Sequence, residues 1–359
     1  VKPLRTWFEE DEFVLPAVVL LALLLLLFPF YKCQCGPRQK PAGAAPTPTP
    51  VAHIAQPTFT RTATATPRPR RPTRTATATA QPTPTPPGGG LRKIAFASNR
   101  ADGRRYQLFM MDADGRNVKR LTVSTAFDRD PHFSHDGRRV AFTSNRDGGI
   151  YQIHVLDLAT RQVRQLTTSL EDKTNPFWSP DDTKILFTLY QKGSSELAIM
   201  DRDGSHISQI TSSFGDSHGY GFSPDGQMVS FESTMHNRNE IFALNLDNHQ
   251  SVMLLQTDDK SYRGDPVFSP RGKYLVFSSD VLTPKVRQLY LYQLETKEYF
   301  PLTQDLTDKD DPIFSPDGTL IAYVAMWENA WNIFVLNIKT RESANLTQSY
   351  FDNVVPTWR

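Results

Sequence analysis

One phrase recurs along the chain and limits what it can fold into. "PFWSPDDTKILFTL" begins at Pro176, "PVFSPRGKYLVFSS" at Pro266 and "PIFSPDGTLIAYVA" at Pro312, and the sequence closes on "VVPTWR", the opening of the same phrase. The aromatic of the phrase falls at Phe133, Trp178, Phe222, Phe268, Phe314 and Trp358, in steps of 45, 44, 46, 46 and 44 residues. A period near 45 residues marks a supersecondary unit that cannot bury its own faces and must stack against its neighbours.

Each unit reads as four short strands. Strand A carries the phrase's aromatic in "PHF", "PFW", "YGF", "PVF", "PIF" and "PTW". A turn such as "SPDG" follows, with Ser, Pro and Gly at the positions a type I turn prefers. Strand B is β-branched or aromatic throughout: "KIAFAS", "RVAFTS", "KILFTL", "MVSFES", "YLVFSS", "LIAYVA". Strand C runs from "QLFMMD" to "NIFVLN", and strand D is expected to end in "LT", with "LLQT" in the fourth unit. The repeats open at Lys93 with a B strand and close at Trp358 with an A strand. The two termini therefore complete one sheet together, which leaves no free edge. The expected fold is all-β, a six-bladed β-propeller over residues 91–359, closed by its N- and C-terminal strands in one blade.

The segment "PIFSPDGTLIAYVA…NIFVLNIKT…NLT" resembles the WD40-like propeller repeats of the TolB type, and the resemblance covers all six repeats from Leu91 to Arg359. It implies an extracytoplasmic head that binds proteins or ligands at its central funnel. The same repeat class forms non-catalytic propellers in relatives of prolyl oligopeptidase and dipeptidyl peptidase. TolB proteins carry a small α/β domain ahead of the propeller, which this chain replaces with other material, so no partner-binding residues are carried over.

That material has two parts beyond a short tail (1–12). Residues 13–31, "FVLPAVVLLALLLLLFPFY", hold no charge in nineteen positions, enough helix to cross a hydrocarbon core of about 30 Å. Residues 32–90 are a Pro/Thr-rich stalk expected to stay extended, with too little apolar surface to offset chain entropy. Residues 1–90 hold ten Lys/Arg against four Asp/Glu, net +6, and the repeats are net −4, which argues against a nucleic-acid-binding face. The count of flanking Lys/Arg slightly favours a cytoplasmic head; the resemblance favours the extracytoplasmic side. Cys33 and Cys35 are the only cysteines, so the propeller needs no disulfide.

No nucleophile elbow, HExxH, P-loop or EF-hand motif occurs, and "GFSPD" at Gly221 is a turn. The candidate ligand-binding residues lie at the channel mouth, three positions before the repeated aromatic: Asp130, Asn175, Asp265 and Asp311, with Gly219 and Val355 completing the ring and His218, Asp128 and Asp310 nearby. Converging carboxylates raise one another's pKa, hold a hard cation such as Ca²⁺, or receive a cationic group of a partner. The plainer reading is that Asp or Asn before Pro serves the local backbone. His132 and His218 offer a transition-metal or acid–base set. Asn345 in "NLT" matches a glycosylation sequon and reads as a strand ending. The expected function is a non-catalytic protein-, peptide- or glycan-binding module. A metal-dependent glycan lyase or hydrolase and a sensor head are the alternatives.

Overall fold

The computed structural model describes residues 92–359, apart from 192, 213–214, 236–237 and 256–260. The tail, the apolar span, the stalk, Leu91 and both cysteines lie outside the described residues. Among the described residues there is no helix long and apolar enough to cross a membrane.

The chain enters on β1 (Lys93–Ser98), β2 (Gln107–Asp112) and β3 (Lys119–Arg120), a sheet lacking its inner strand. Blade 2 is β4 (Asp128–Phe133), β5 (Arg139–Ser144), β6 (Gln152–Asp157) and β7 (Val163–Gln165). Blade 3 is β8 (Lys173–Trp178), β9 (Lys184–Gln191), β10 (Ser194–Asp201) and β11 (Ser208–Gln209). Blade 4 is β12 (Ser217–Phe222), β13 (Met228–Met235), β14 (Arg238–Asn245) and β15 (Ser251–Met253). Blade 5 is β16 (Arg263–Phe268), β17 (Tyr274–Ser279), β18 (Gln288–Gln293) and β19 (Tyr299–Pro301). Blade 6 is β20 (Lys309–Phe314), β21 (Leu320–Trp327), β22 (Ala330–Asn337) and β23 (Ser343–Asn345). The last strand, β24 (Asn353–Trp358), returns to the first sheet, whose order is β24-β1-β2-β3. The expected closure is thus present, and Lys93 and Arg359 exchange both backbone hydrogen bonds, at 3.2 and 3.0 Å.

Every inner strand packs against the next, from β4 to β8 and on round to β24 and back to β4, so the six surround one axis. The hydrophobic cores lie between blades. Phe133, Val140, Phe142 and Leu156 of blade 2 meet Ala95, Ala97 and Leu108 of the closing blade, and Trp178, Ile185 and Phe187 of blade 3 meet Ala141, Ile153 and Val155 of blade 2. This explains why strand B is apolar on both faces: β1, β5 and β17 are buried along five of six residues, sandwiched between neighbouring sheets.

The repeated polar residues are also accounted for. In the turn after strand A, Ser134 Oγ bonds Asp136 Oδ1 at 2.6 Å and accepts the Arg139 N–H at 3.0 Å. The same pattern recurs at Ser179, Ser223 and Ser315. In three of these turns Gly takes the left-handed residue, and Asp182 does so in "SPDD" at φ 57°. Strand D ends just before the "LT" pair, not within it as expected. The Thr hydroxyl then substitutes for a backbone carbonyl: Thr122, Thr167, Thr211, Thr303 and Thr347 Oγ1 each accept a strand C N–H at 2.8–3.0 Å. Asn345 Oδ1 accepts the Thr347 and Gln348 N–H groups, a turn-capping role.

Strand A is longer than the phrase suggested. It begins three residues earlier and contains a β-bulge, with a register shift between Arg129 and His132 and its equivalents in the other blades. The bulge residue is left-handed at Asp130 (φ 53°), Asn175 (57°), Asp265 (55°), Asp311 (49°) and Val355 (50°). Asp and Asn adopt that conformation at little cost; the β-branched Val355 is strained in it.

Two outcomes follow from this frame. Deleting Val354–Arg359 removes β24 and exposes one side of two cores, so cooperative unfolding in urea is expected to be lost. Val355→Asn is expected to stabilise the propeller by about 1 kcal/mol, because it relieves left-handed strain and keeps the backbone N–H. An unchanged or lower urea midpoint would contradict the second expectation.

Candidate functional site

Bulges fix how the inner strands present side chains to the axis. The five polar positions singled out in the sequence meet different fates there. Asn175 is a stitch: its Nδ2 donates to Gly219 O at 2.9 Å, and its N–H donates to Thr143 Oγ1 at 3.0 Å, tying β8 to the strands on either side. Asp311 does similar work, with Oδ2 accepting the Val355 N–H at 3.2 Å. His218 sits against the Tyr190 ring, 5.9 Å between centroids, with Nε2 3.5 Å from Ser195 Oγ. Burial lowers its pKa. Asp130 lies 3.4 Å from Arg129 Nε, and that guanidinium stacks 4.8 Å above the Tyr151 ring.

Asp265 is the exception. The residue is 6% exposed, and its buried Oδ2 has no hydrogen-bond partner among the described residues. Its backbone N–H donates to Glu232 Oε2 at 3.2 Å, and the Tyr262 hydroxyl donates to the same oxygen at 3.3 Å. Asp310 completes the group. It pairs with Arg287 Nη2 at 2.6 Å, while its Oδ1 is buried without a partner. Arg287 in turn stacks 5.5 Å above Tyr262. Gly264 leaves room for this arrangement, because a Cβ at that position would displace the Tyr262 hydroxyl and Glu232 Oε2.

Glu232, Asp265, Asp310 and Asp311 therefore face one another across blades 4 to 6. Burial, and next the Asp265 charge, push Glu232 up to about 8, Asp310 to about 9 and Asp311 to about 7. Asp130 adds to the repulsion on Asp311. Burial likewise raises the Tyr220 and Tyr262 phenols, which stay protonated.

The other sequence candidates resolve into structure. Asp128 is fully buried and bonded to Ser144 Oγ (2.6 Å), Arg146 (2.9 Å) and Ser124 Oγ (3.1 Å). His132 accepts the Trp178 N–H at 3.2 Å on Nδ1 and packs on Phe177; burial drops its pKa to about 3, so it is neutral and committed. It does not join His218 in a metal or acid–base set. Among the described residues no three His, Cys, Asp or Glu side chains stand close enough to hold a metal ion.

Glu232, Tyr220, Tyr262 and Arg287 were not found from the sequence, although a signal for two of them exists. Glu232 occupies the strand B position filled by Ala97, Thr143, Thr188, Ser278 and Val324 in the other blades, and Tyr220 replaces the Pro of the phrase. Blade 4 departs from the repeat where the acidic group forms.

Six sheets in a closed ring with bulged inner strands define a six-bladed β-propeller. Residues 85–358 match the family model of the TolB beta propeller domain, and the chain belongs to that family. Its structure is similar to TolB from Acinetobacter baumannii (23% identity, TM-score 0.66, covering 74% of this chain and 66% of that one, just under two thirds). It is also similar to a putative TolB from Agrobacterium tumefaciens (17% identity, TM-score 0.58, covering 72% and 89%). A third similar structure is an oligogalacturonate lyase in complex with manganese (16% identity, TM-score 0.52, covering 70% and 73%). At these identities the likeness is one of fold. Comparison with curated proteins gives no match.

The raised carboxyls carry a sign that can be checked. In the native state they hold protons that the unfolded chain has already released near pH 4, so stability falls as pH rises through their folded pKa values. Between about pH 7 and pH 9, where His132 no longer titrates in either state, the loss is expected to be on the order of 2 kcal/mol. Asp265→Asn should flatten that slope in urea titrations. A slope as steep as that of the parent would mean the cluster is not the source.

Proposed function

We propose that this chain is a membrane-anchored, extracytoplasmic binding module without catalytic activity, whose partner seats on the channel mouth. The carrying observation is the acidic group. Asp130, Asp265 and Asp311, from blades 2, 5 and 6, act on one another by charge, Asp130 lies beside the Arg129–Tyr151 stack, and His132 is spent on a backbone N–H. Aromatic and arginine side chains at a rim around buried charge suit recognition. Hydrolysis or elimination would need an activated nucleophile or base; His132 accepts a backbone N–H, and Ser195 Oγ, 3.5 Å from His218 Nε2, also reaches Asp216 Oδ1 at 3.4 Å, long contacts for proton transfer. The anchor rests on the nineteen uncharged residues 13–31, and the stalk 32–90 would hold the head clear of the membrane. Membership of the TolB propeller family supports the extracytoplasmic side.

Site-specific photocrosslinking in cells tests this reading. A photoreactive residue replacing Tyr151 at the mouth is expected to trap a discrete partner. The same residue replacing Arg164, exposed on the outermost strand β7, is expected to trap none. Adducts from the outer wall alone would overturn the proposal.

A further inference from the structure

The acidic group in blades 4 to 6 has features that the fold does not demand. Other blades close without it, using Ala, Thr, Ser or Val where blade 4 has Glu232, and Pro where it has Tyr220. Two acceptor atoms on neighbouring inner strands, Asp265 Oδ2 and Asp310 Oδ1, are buried and have no partner among the described residues. An orphaned buried acceptor of this kind costs stability, so it calls for an occupant or a use. Among the described residues Arg287 pairs with Asp310 and Asp308, and no Lys or Arg pairs with Glu232 or Asp265. The surroundings favour an organic cation. Among the described residues the carboxylates are not grouped as metal ligands, and the Arg287 guanidinium, stacked on Tyr262 and paired with Asp310, shows that the group already receives an organic cation on one side.

We propose that Glu232, Asp265, Asp310 and Asp311 form a receptor for one organic cation, the alkylammonium or guanidinium group of a lysine or arginine side chain. This deepens, and rests on, the reading of the mouth as a binding face. An ammonium presents three N–H donors and a guanidinium five, enough to satisfy Asp265 Oδ2, Asp310 Oδ1 and Glu232 together. The bound charge would also relieve the mutual repulsion of the carboxylates. Charge-assisted bonds to a desolvated site are the strong ones, so a single side chain is expected to matter to partner affinity.

The test is calorimetry on the full chain with four probes: N-acetyl-lysine methylamide, N-acetyl-arginine methylamide, cadaverine, and the neutral N-acetyl-norleucine methylamide. The cations are expected to bind and norleucine is not. Stronger binding of the amino-acid amides than of cadaverine assigns the cation to a polypeptide; the reverse assigns it to a free polyamine.

Asp265→Asn is expected to weaken cation binding at least about tenfold while raising the melting temperature, because it removes a buried unpaired acceptor charge. A merely structural carboxylate would give a lower melting temperature instead. Glu232→Gln serves the same purpose if the first variant fails to fold, and Asp203→Asn, on a remote turn, is expected to leave binding unchanged. Equal binding of norleucine, absence of binding by every cation, or full binding by both cluster variants overturns the inference. If cations fail while the Tyr151 crosslink persists, this inference falls and the binding-module reading stands. If cations bind and that crosslink is absent, the cation receptor stands without a partner at the mouth.

Discussion

The antiparallel ladder between β1 and β24 is the interaction on which the ring depends. It joins residues more than 250 positions apart, with Ile94 opposite Trp358 and Ser98 opposite Asn353. Because the cores lie between blades, each sheet is stable only when both neighbours are in place. Ile94, Phe96 and Met111 need blade 6 on one side, and Ala95, Ala97 and Leu108 need blade 2 on the other. Without β24 the closing blade would present an unpaired edge and an uncovered inner face.

The inner strands contribute a second constraint, the bulge. Its left-handed residue suits Asp and Asn, and this is why those residues recur just ahead of the phrase. The fold thus places a polar ring around the axis for local reasons. At Asn175 and Asp311 the side chain is used to stitch one blade to the next. At Asp265 the same position holds a buried oxygen with no partner, beside a glutamate that no other blade has at its position. Burying like charges together is destabilising unless something compensates them. Natural proteins depart from local consistency mainly where function requires it, and here the departure is confined to blades 4 to 6.

The fold was legible because most blades write the same chemistry: a turn serine, a left-handed glycine, a doubly buried strand, a threonine that caps strand C. Five or six independent copies average out local ambiguity. Asp130, Asp265 and Asp311 stand out in the sequence for the same reason, as one position of the repeat. Glu232 and Tyr220 were harder to see because they are exceptions, and a reading that seeks the pattern passes over its breaks. Tyr262 and Arg287 lie at or beyond strand ends, where position in the sequence says little about which neighbour a side chain will meet. The bulge was hidden as well, since "DRDPHF" and "KDDPIF" carry no sign that pairing with strand B slips by a residue.

By itself the sequence determined the number of blades, the order of strands, the sharing of the first blade between the termini and the recurrence of Asp or Asn three positions ahead of the phrase's aromatic in four of six repeats. These follow from local propensity and periodicity, which act over a few residues at a time. Only the tertiary structure decided which of those polar residues are spent on holding the ring and which are left over. That division depends on partners contributed by other blades: Gly219 for Asn175, Val355 for Asp311, Trp178 for His132, and none for the free oxygen of Asp265. Hydrogen bonding and desolvation between distant segments, which no stretch of sequence encodes alone, draw the line between scaffold and site.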